Sequence, residues 1–170
     1  MKYHYAHAAA AAAVLSFLFV IPAGDASAQS AKSLVGTYQG VAFRGVDASG
    51  KTFDIFGANP RALMVLTADG RYSIIVMRAS LPKFAANSRI KGSAEENQAV
   101  VTGSLAHFGK YSIDEKDKTI TFAVESATYP NWDGVPQKRP MTYKGGELSY
   151  KVAVVSGGVG AGDVVWKRLK

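Results

Sequence analysis

From residue 35 onward the chain is built of short alternating apolar and polar runs, separated by clusters of turn-forming residues. The cleanest run is Arg71 to Arg78. Arg71 and Ser73 fall on one face and Tyr72, Ile74 and Val76 on the other, as the two-residue period of a strand requires, and the same count turns Arg78 inward. Residues 35–44, rich in glycine and β-branched side chains, read as a strand that Asp47-Ala48-Ser49-Gly50 turns back into Thr52 to Phe56. Phe56 to Arg61 is a loop whose Asn59-Pro60 step disfavours helix, and Ala62 to Thr67 is a further apolar run closed by Ala68-Asp69-Gly70. Phe108 to Ile113 and Thr119 to Glu125 flank the charged turn Asp114 to Asp117; Gln137 to Tyr143 and Leu148 to Val154 flank Lys144 to Glu147; Asp163 to Arg168 is the last strand.

One stretch breaks this pattern. Ser93 followed by Ala94, Glu95 and Glu96 carries an N-cap and first-turn acids, which predicts a short helix over about Ala94 to Leu105, outside the sheet. Ala79 to Asn87, with Pro82, and Tyr129 to Gly134 are irregular. The glycine-rich segment 156–162 lacks the strand-to-helix setting of a phosphate loop and reads as a loop on a barrel rim. Eight or nine strands with one short helix indicate an all-β domain, an antiparallel barrel or a sandwich, and the run of consecutive hairpins favours an up-and-down barrel. At about eight strands such an interior is either filled by side chains or holds one small ligand.

The first residues have a different character. A weakly basic start leads into an apolar run from Ala8 to Ile21, then Pro22 and Ala26-Ser27-Ala28, the form of a secretory signal peptide over 1–28 that leaves a single domain over 29–170. The run is shorter than the roughly 18 residues that span a membrane, and no later stretch reaches that length. A periplasmic or secreted location is the expectation, and with Cys 0 stability comes from packing instead of disulfides.

The formal charge of +7 is dispersed among scattered Lys and Arg without interleaved aromatics or a nucleic-acid motif, so nucleic acid is not an expected partner. With His107 alone left after the leader, no tri-His or thiolate metal site can form, no Gly-x-Ser-x-Gly nucleophile is present, and no cofactor is called for.

Several segments together resemble the lipocalin-like domain proteins of bacteria and fungi, near the calycin type of barrel. They are Leu34-Val35-Gly36-Thr37-Tyr38, Phe56 to Arg61, Leu66 to Ser73, Met77-Arg78, Ala106 to Tyr111, Tyr129 to Trp132, and Val165-Trp166-Lys167-Arg168. The resemblance spans nearly all of the mature chain and implies a lipocalin-like barrel in which Tyr38, standing where the family usually has Trp, packs under the barrel with Arg168 across it. A ninth strand in the ring would instead run parallel to the first and carry Arg168 to the other end.

Up-and-down connectivity also locates a mouth. The ends of strands at Arg78, His107, Glu125 and Gln137 share the rim that carries the longer loops, opposite the tight turns. The candidate ligand-binding residues are therefore Arg78, His107, Tyr111, Glu125, Tyr129, Asn131, Trp132 and Arg139, with no catalytic residue assigned. Alternation puts His107 and Tyr111 on one inward face, although Glu125 shares a face with Thr119 and Thr121, the outer one. The expected function is binding of a small, mostly apolar molecule, hydrophobic or amphiphilic, with an anionic group opposite Arg78 or Arg139. Two alternatives stand beside it: a cofactor-free isomerase or cyclase using His107, Arg78 and Glu125, and a filled barrel acting as a protein-interaction module.

Overall fold

The structure, a computed structural model, describes residues 31–153 and 160–170. The expected leader and most of the glycine-rich segment lie outside the described residues. In chain order the elements are α1 (Ala31–Leu34), β1 (Gly36–Val46), β2 (Thr52–Asp54), β3 (Arg61–Leu66), β4 (Arg71–Met77), α2 (Ala94–Gly103), β5 (Ser104–Asp114), β6 (Thr119–Ala127), a 3-10 turn (Pro130–Trp132), β7 (Pro136–Lys144), β8 (Glu147–Val152) and β9 (Gly162–Arg168).

Strands β3 to β9 pair with their sequence neighbours, β1 pairs with β3, and β9 returns to β1, every pair antiparallel. Eight strands thus close the barrel. The ninth, β2, pairs only with the far end of β1, through Arg44–Asp54, Gly45–Phe53 and Val46–Thr52. Because β2 takes no place in the ring, the strand count around it is even and the last strand meets the first antiparallel, with Tyr38 directly opposite Arg168. The Arg168 guanidinium lies 5.7 Å from the Tyr38 ring centre, a contact worth about 0.5–2 kcal/mol. It also donates to the carbonyls of Ser33, at 3.0 Å, and Val35, while the Tyr38 hydroxyl donates to Leu34 O at 2.6 Å. These bonds pin α1 against the closed end of the barrel.

Alternation decides what fills the interior. Tyr38, Met64, Leu66, Tyr72, Ile120 and Leu148 pack the lower half, next to the tight turns, and all are buried. Phe43, Ile74, Val76, Phe122, Tyr150, Val164 and Trp166 continue the inward rows into the upper half.

The helix begins as expected. Ser93 Oγ accepts from Glu96 N at 3.2 Å and the Glu96 carboxylate accepts from Ser93 N at 2.8 Å, a complete capping box. It ends at Gly103, short of the expected Leu105, because β5 starts at Ser104 and sets Leu105 opposite Val76 and His107 opposite Ile74. Pairing that buries an alternating row outweighs the modest helix preference of these residues.

A bulge interrupts the β5–β6 ladder. Phe108 pairs with Ser126 but Gly109 with Val124, leaving Glu125 as the extra residue. A Cβ on Gly109 would lie 2.1 Å from Ala123 O and 2.8 Å from Glu125 N, both backbone atoms that cannot swing aside. Gly109→Ala should therefore lower stability by about 1–3 kcal/mol in urea unfolding, as the bulge is forced open.

Candidate functional site

The turns at Asp69-Gly70, Asp114 to Lys118 and Gly145-Gly146 lie at the end clasped by Tyr38 and Arg168. The long connections 47–60, 78–103 and 128–135 gather at the opposite rim, which is the mouth. Beneath it is a cavity of about 60 Å³ that opens to solvent at the mouth. That is room for a few waters, so an organic occupant must displace them and shift side chains at the mouth.

The walls of this space are mainly aromatic and aliphatic. Phe43 stands edge-on to both Phe56, at 5.6 Å, and Trp166, at 5.1 Å, and Phe122 and Tyr150 lie 5.6 Å apart. Ile55 and Phe56 reach the cavity from the β2 excursion, which folds over one side of the mouth. Trp132 comes from the 3-10 turn on another side and meets the His107 ring at 5.4 Å.

Few polar groups enter. His107 is only 7% exposed, and its Nδ1 lies 2.9 Å from the Tyr72 hydroxyl. Its Nε2 has no protein partner among the described residues. Burial, with a smaller contribution from the Arg139 charge, pulls the imidazole down to about 4, so it is neutral at pH 7. Burial likewise raises the Tyr72 hydroxyl and pushes Tyr150 up to about 12, the latter against a bond accepted from Trp166 Nε1 at 3.1 Å; both phenols are protonated.

Among the described residues, Arg139 is the one cation on the cavity wall. Desolvation lowers it from its ordinary value, yet it stays charged. Its Nη2 donates to Gln137 Oε1 at 2.6 Å. Among the described residues the ion pairs are Arg71–Glu125, at 3.3 Å, and Lys138–Asp117, at 3.2 Å, and no carboxylate reaches Arg139. A half-buried guanidinium without a counter-charge is costly unless something supplies one.

Of the eight candidate ligand residues, His107, Trp132 and Arg139 line the cavity together. Tyr111 faces inward but lies in the lower half, where its hydroxyl donates to Thr67 O at 2.9 Å. Tyr129 is exposed on the rim and braces Trp132 at 5.7 Å, and Asn131 is exposed on the same turn.

Two expectations are corrected. Arg78 does not face the interior: β4 ends at Met77, so the chain leaves the barrel before the alternation reaches it, and Arg78 is exposed on the rim. Glu125, a candidate ligand residue, stands on the outer face as its parity indicated, paired with Arg71, so the acid–base arrangement of the isomerase alternative does not form.

Gln137, Tyr150, Phe43 and Phe56 line the cavity without having been singled out as ligand residues. The inward row Leu148, Tyr150, Val152 carries a signal that would find Tyr150. Phe56 has none, because its place depends on how the β2 excursion folds back.

The pH dependence follows from His107. In the unfolded chain an imidazole titrates near 6.5, in the folded barrel at about 4. Between those values the unfolded state holds a proton that the folded state lacks. The contribution is fully present above about pH 6.5 and is lost as pH falls through 4, at up to about 1.4 kcal/mol per pH unit. His107→Gln should remove that slope from a comparison of urea unfolding at pH 7 and 4.5, leaving only the part shared with the wild type.

The chain matches the lipocalin-like domain over residues 35–169. It is also similar to the 4'-hydroxy-3'-methoxypropiophenone carrier protein ppsC of Aspergillus oryzae, 27% identical over 103 residues that cover 55% of this chain and 93% of that protein. With its closed eight-stranded antiparallel barrel, the match across 35–169 shows that this protein belongs to the lipocalin-like domain family.

Proposed function

We propose that the upper half of the barrel carries a small, mostly apolar aromatic molecule whose anionic or strongly electron-rich end is held by Arg139. The observation that carries this reading is the desolvated guanidinium on an aromatic wall with no carboxylate partner among the described residues. Charge-assisted bonds to a ligand oxygen would supply what the protein does not. The fungal relative's ligand, an aryl ketone bearing hydroxyl and methoxy groups, is of this chemical kind.

His107 supports the same reading. A neutral imidazole held by Tyr72 offers Nε2 as a single directional polar contact beside an apolar ring. A base with a pKa of about 4 is poorly matched to proton abstraction at neutral pH, which favours binding over catalysis. Entry of an aryl group requires Trp132 and Phe56 to move outward, and both sit on mouth connections instead of barrel strands. The leader, in this reading, sends the domain to the periplasm or the outside, where it carries its ligand in solution.

Native mass spectrometry of the full-length chain with a panel of aryl acids and hydroxyaryl ketones tests the proposal. Saturable one-to-one adducts that are weakened in Arg139→Met are expected. Non-saturating adducts, equally populated in wild type and variant, would contradict it.

A further inference from the structure

The connection from β4 to β5 stands on the mouth rim, and its composition is one-sided. Over residues 78–93 it carries Arg78, Lys83, Arg89 and Lys91 and no acidic residue. All four cations are exposed, and none belongs to an ion pair of the described residues. The nearest carboxylates along the chain are engaged elsewhere. Glu95 accepts from Ser93 Oγ at 2.8 Å, and Glu96 accepts from the backbone of Ser93 and Ala85, both at 2.8 Å.

Ile90 sits between Arg89 and Lys91 at 82% exposure, above every other large apolar side chain described. The segment has a defined shape. Lys91 N donates to Ser88 O and Asn87 N to Phe84 O, Phe84 packs by Gly92, and the Ala85–Glu96 bond ties the whole against the start of α2. An isoleucine held out on an ordered basic turn is a costly feature in water and a useful one at an interface.

We propose that this turn docks the mouth of the barrel onto an anionic lipid surface. Ile90 enters the boundary between headgroups and acyl chains, while Arg78, Lys83, Arg89 and Lys91 meet acidic headgroups. The charge is complementary, and the net charge of +7 has the same sign. An acidic protein surface would satisfy the cations but would leave Ile90, held out at 82% exposure, without apolar surroundings. Docking here sets the apolar cavity against the phase that dissolves an apolar ligand, so the proposal goes beyond cavity binding and does not depend on Arg139.

The test is co-sedimentation of the full-length chain with phosphatidylcholine vesicles, with and without phosphatidylglycerol, at low and high salt. The N-terminal apolar run is common to all variants and cancels in the comparison. Wild type should prefer the anionic vesicles by about tenfold or more, since each cation near such a surface contributes roughly fivefold. The preference should collapse in K83E/R89E/K91E, fall several-fold in Ile90→Asp, and fade at high salt. Unchanged affinity of these variants for an aryl ligand would show that the barrel is intact. Equal binding of wild type to both vesicles, an undiminished preference in the triple variant, or displacement from anionic vesicles by polyglutamate of equal charge would overturn the proposal.

Discussion

Replacing Arg139 with methionine is expected to move stability and ligand binding in opposite directions. On the barrel wall the guanidinium is desolvated, and among the described residues its side-chain hydrogen bond is to Gln137 Oε1 at 2.6 Å. Methionine has a similar length, fits an aromatic wall and carries no charge, so unfolding free energy should stay level or rise by about 1 kcal/mol. Affinity for an anionic aryl ligand should fall roughly 10- to 100-fold, the worth of one or two charge-assisted bonds in a water-poor site. A neutral aryl alcohol of the same shape should bind the variant as well as it binds wild type. Urea unfolding and titration calorimetry on the same preparations measure both quantities. A stability loss of several kcal/mol would mark Arg139 as part of the scaffold.

Trp166→Ala is expected to cost about 3–5 kcal/mol, a large share of the 5–15 kcal/mol typical of a domain. Trp166 is fully buried on β9, opposite Gly40 on one side and Leu148 on the other, at the seam where the last strand meets the first. Its ring packs edge-on against Phe43 at 5.1 Å, and its Nε1 donates to the Tyr150 hydroxyl. The void left by alanine merges with the existing cavity, so the site should accept bulkier ligands even as the melting temperature drops. Trp166→Phe keeps most of the volume and loses the hydrogen bond, which should cost about 1–2 kcal/mol by leaving a buried phenol unpaired.

Much of the barrel is legible in the sequence because its information is local. Alternation in Tyr72, Ile74 and Val76 and in Leu148, Tyr150 and Val152, together with turns such as Asp69-Gly70, specifies faces and hairpins without reference to distant residues. The closing contact of Tyr38 with Arg168 was carried by the family resemblance, and it hinged on whether β2 joins the ring, which no local signal settles.

The failures have the same origin. Arg78 has the right parity, but a strand's end is set by where pairing stops, and Met77 is the last residue paired with β3 and β5. Glu125 has outward parity, and its partner Arg71 is two strands away, a separation visible only in the register. Leu105 looks like helix until Val76 is known to face it. Arg139 could be placed on the inward face with Gln137 and Met141. That no carboxylate among the described residues pairs with it, the fact on which the functional reading turns, is a property of the whole interior.

Intermolecular nuclear Overhauser effects between a bound aryl carboxylate and the protein's methyl groups test the central claim most directly, because β4 presents adjacent methyls to opposite sides of one wall. An occupant of the barrel must show contacts to Ile74 and Val76, with Val152 and Val164 from the far wall, and none to Ile75 or Leu63, which are exposed on the outer surface. Contacts to Ile75 and Leu63 in place of Ile74 and Val76 would put the ligand outside the barrel and contradict the account.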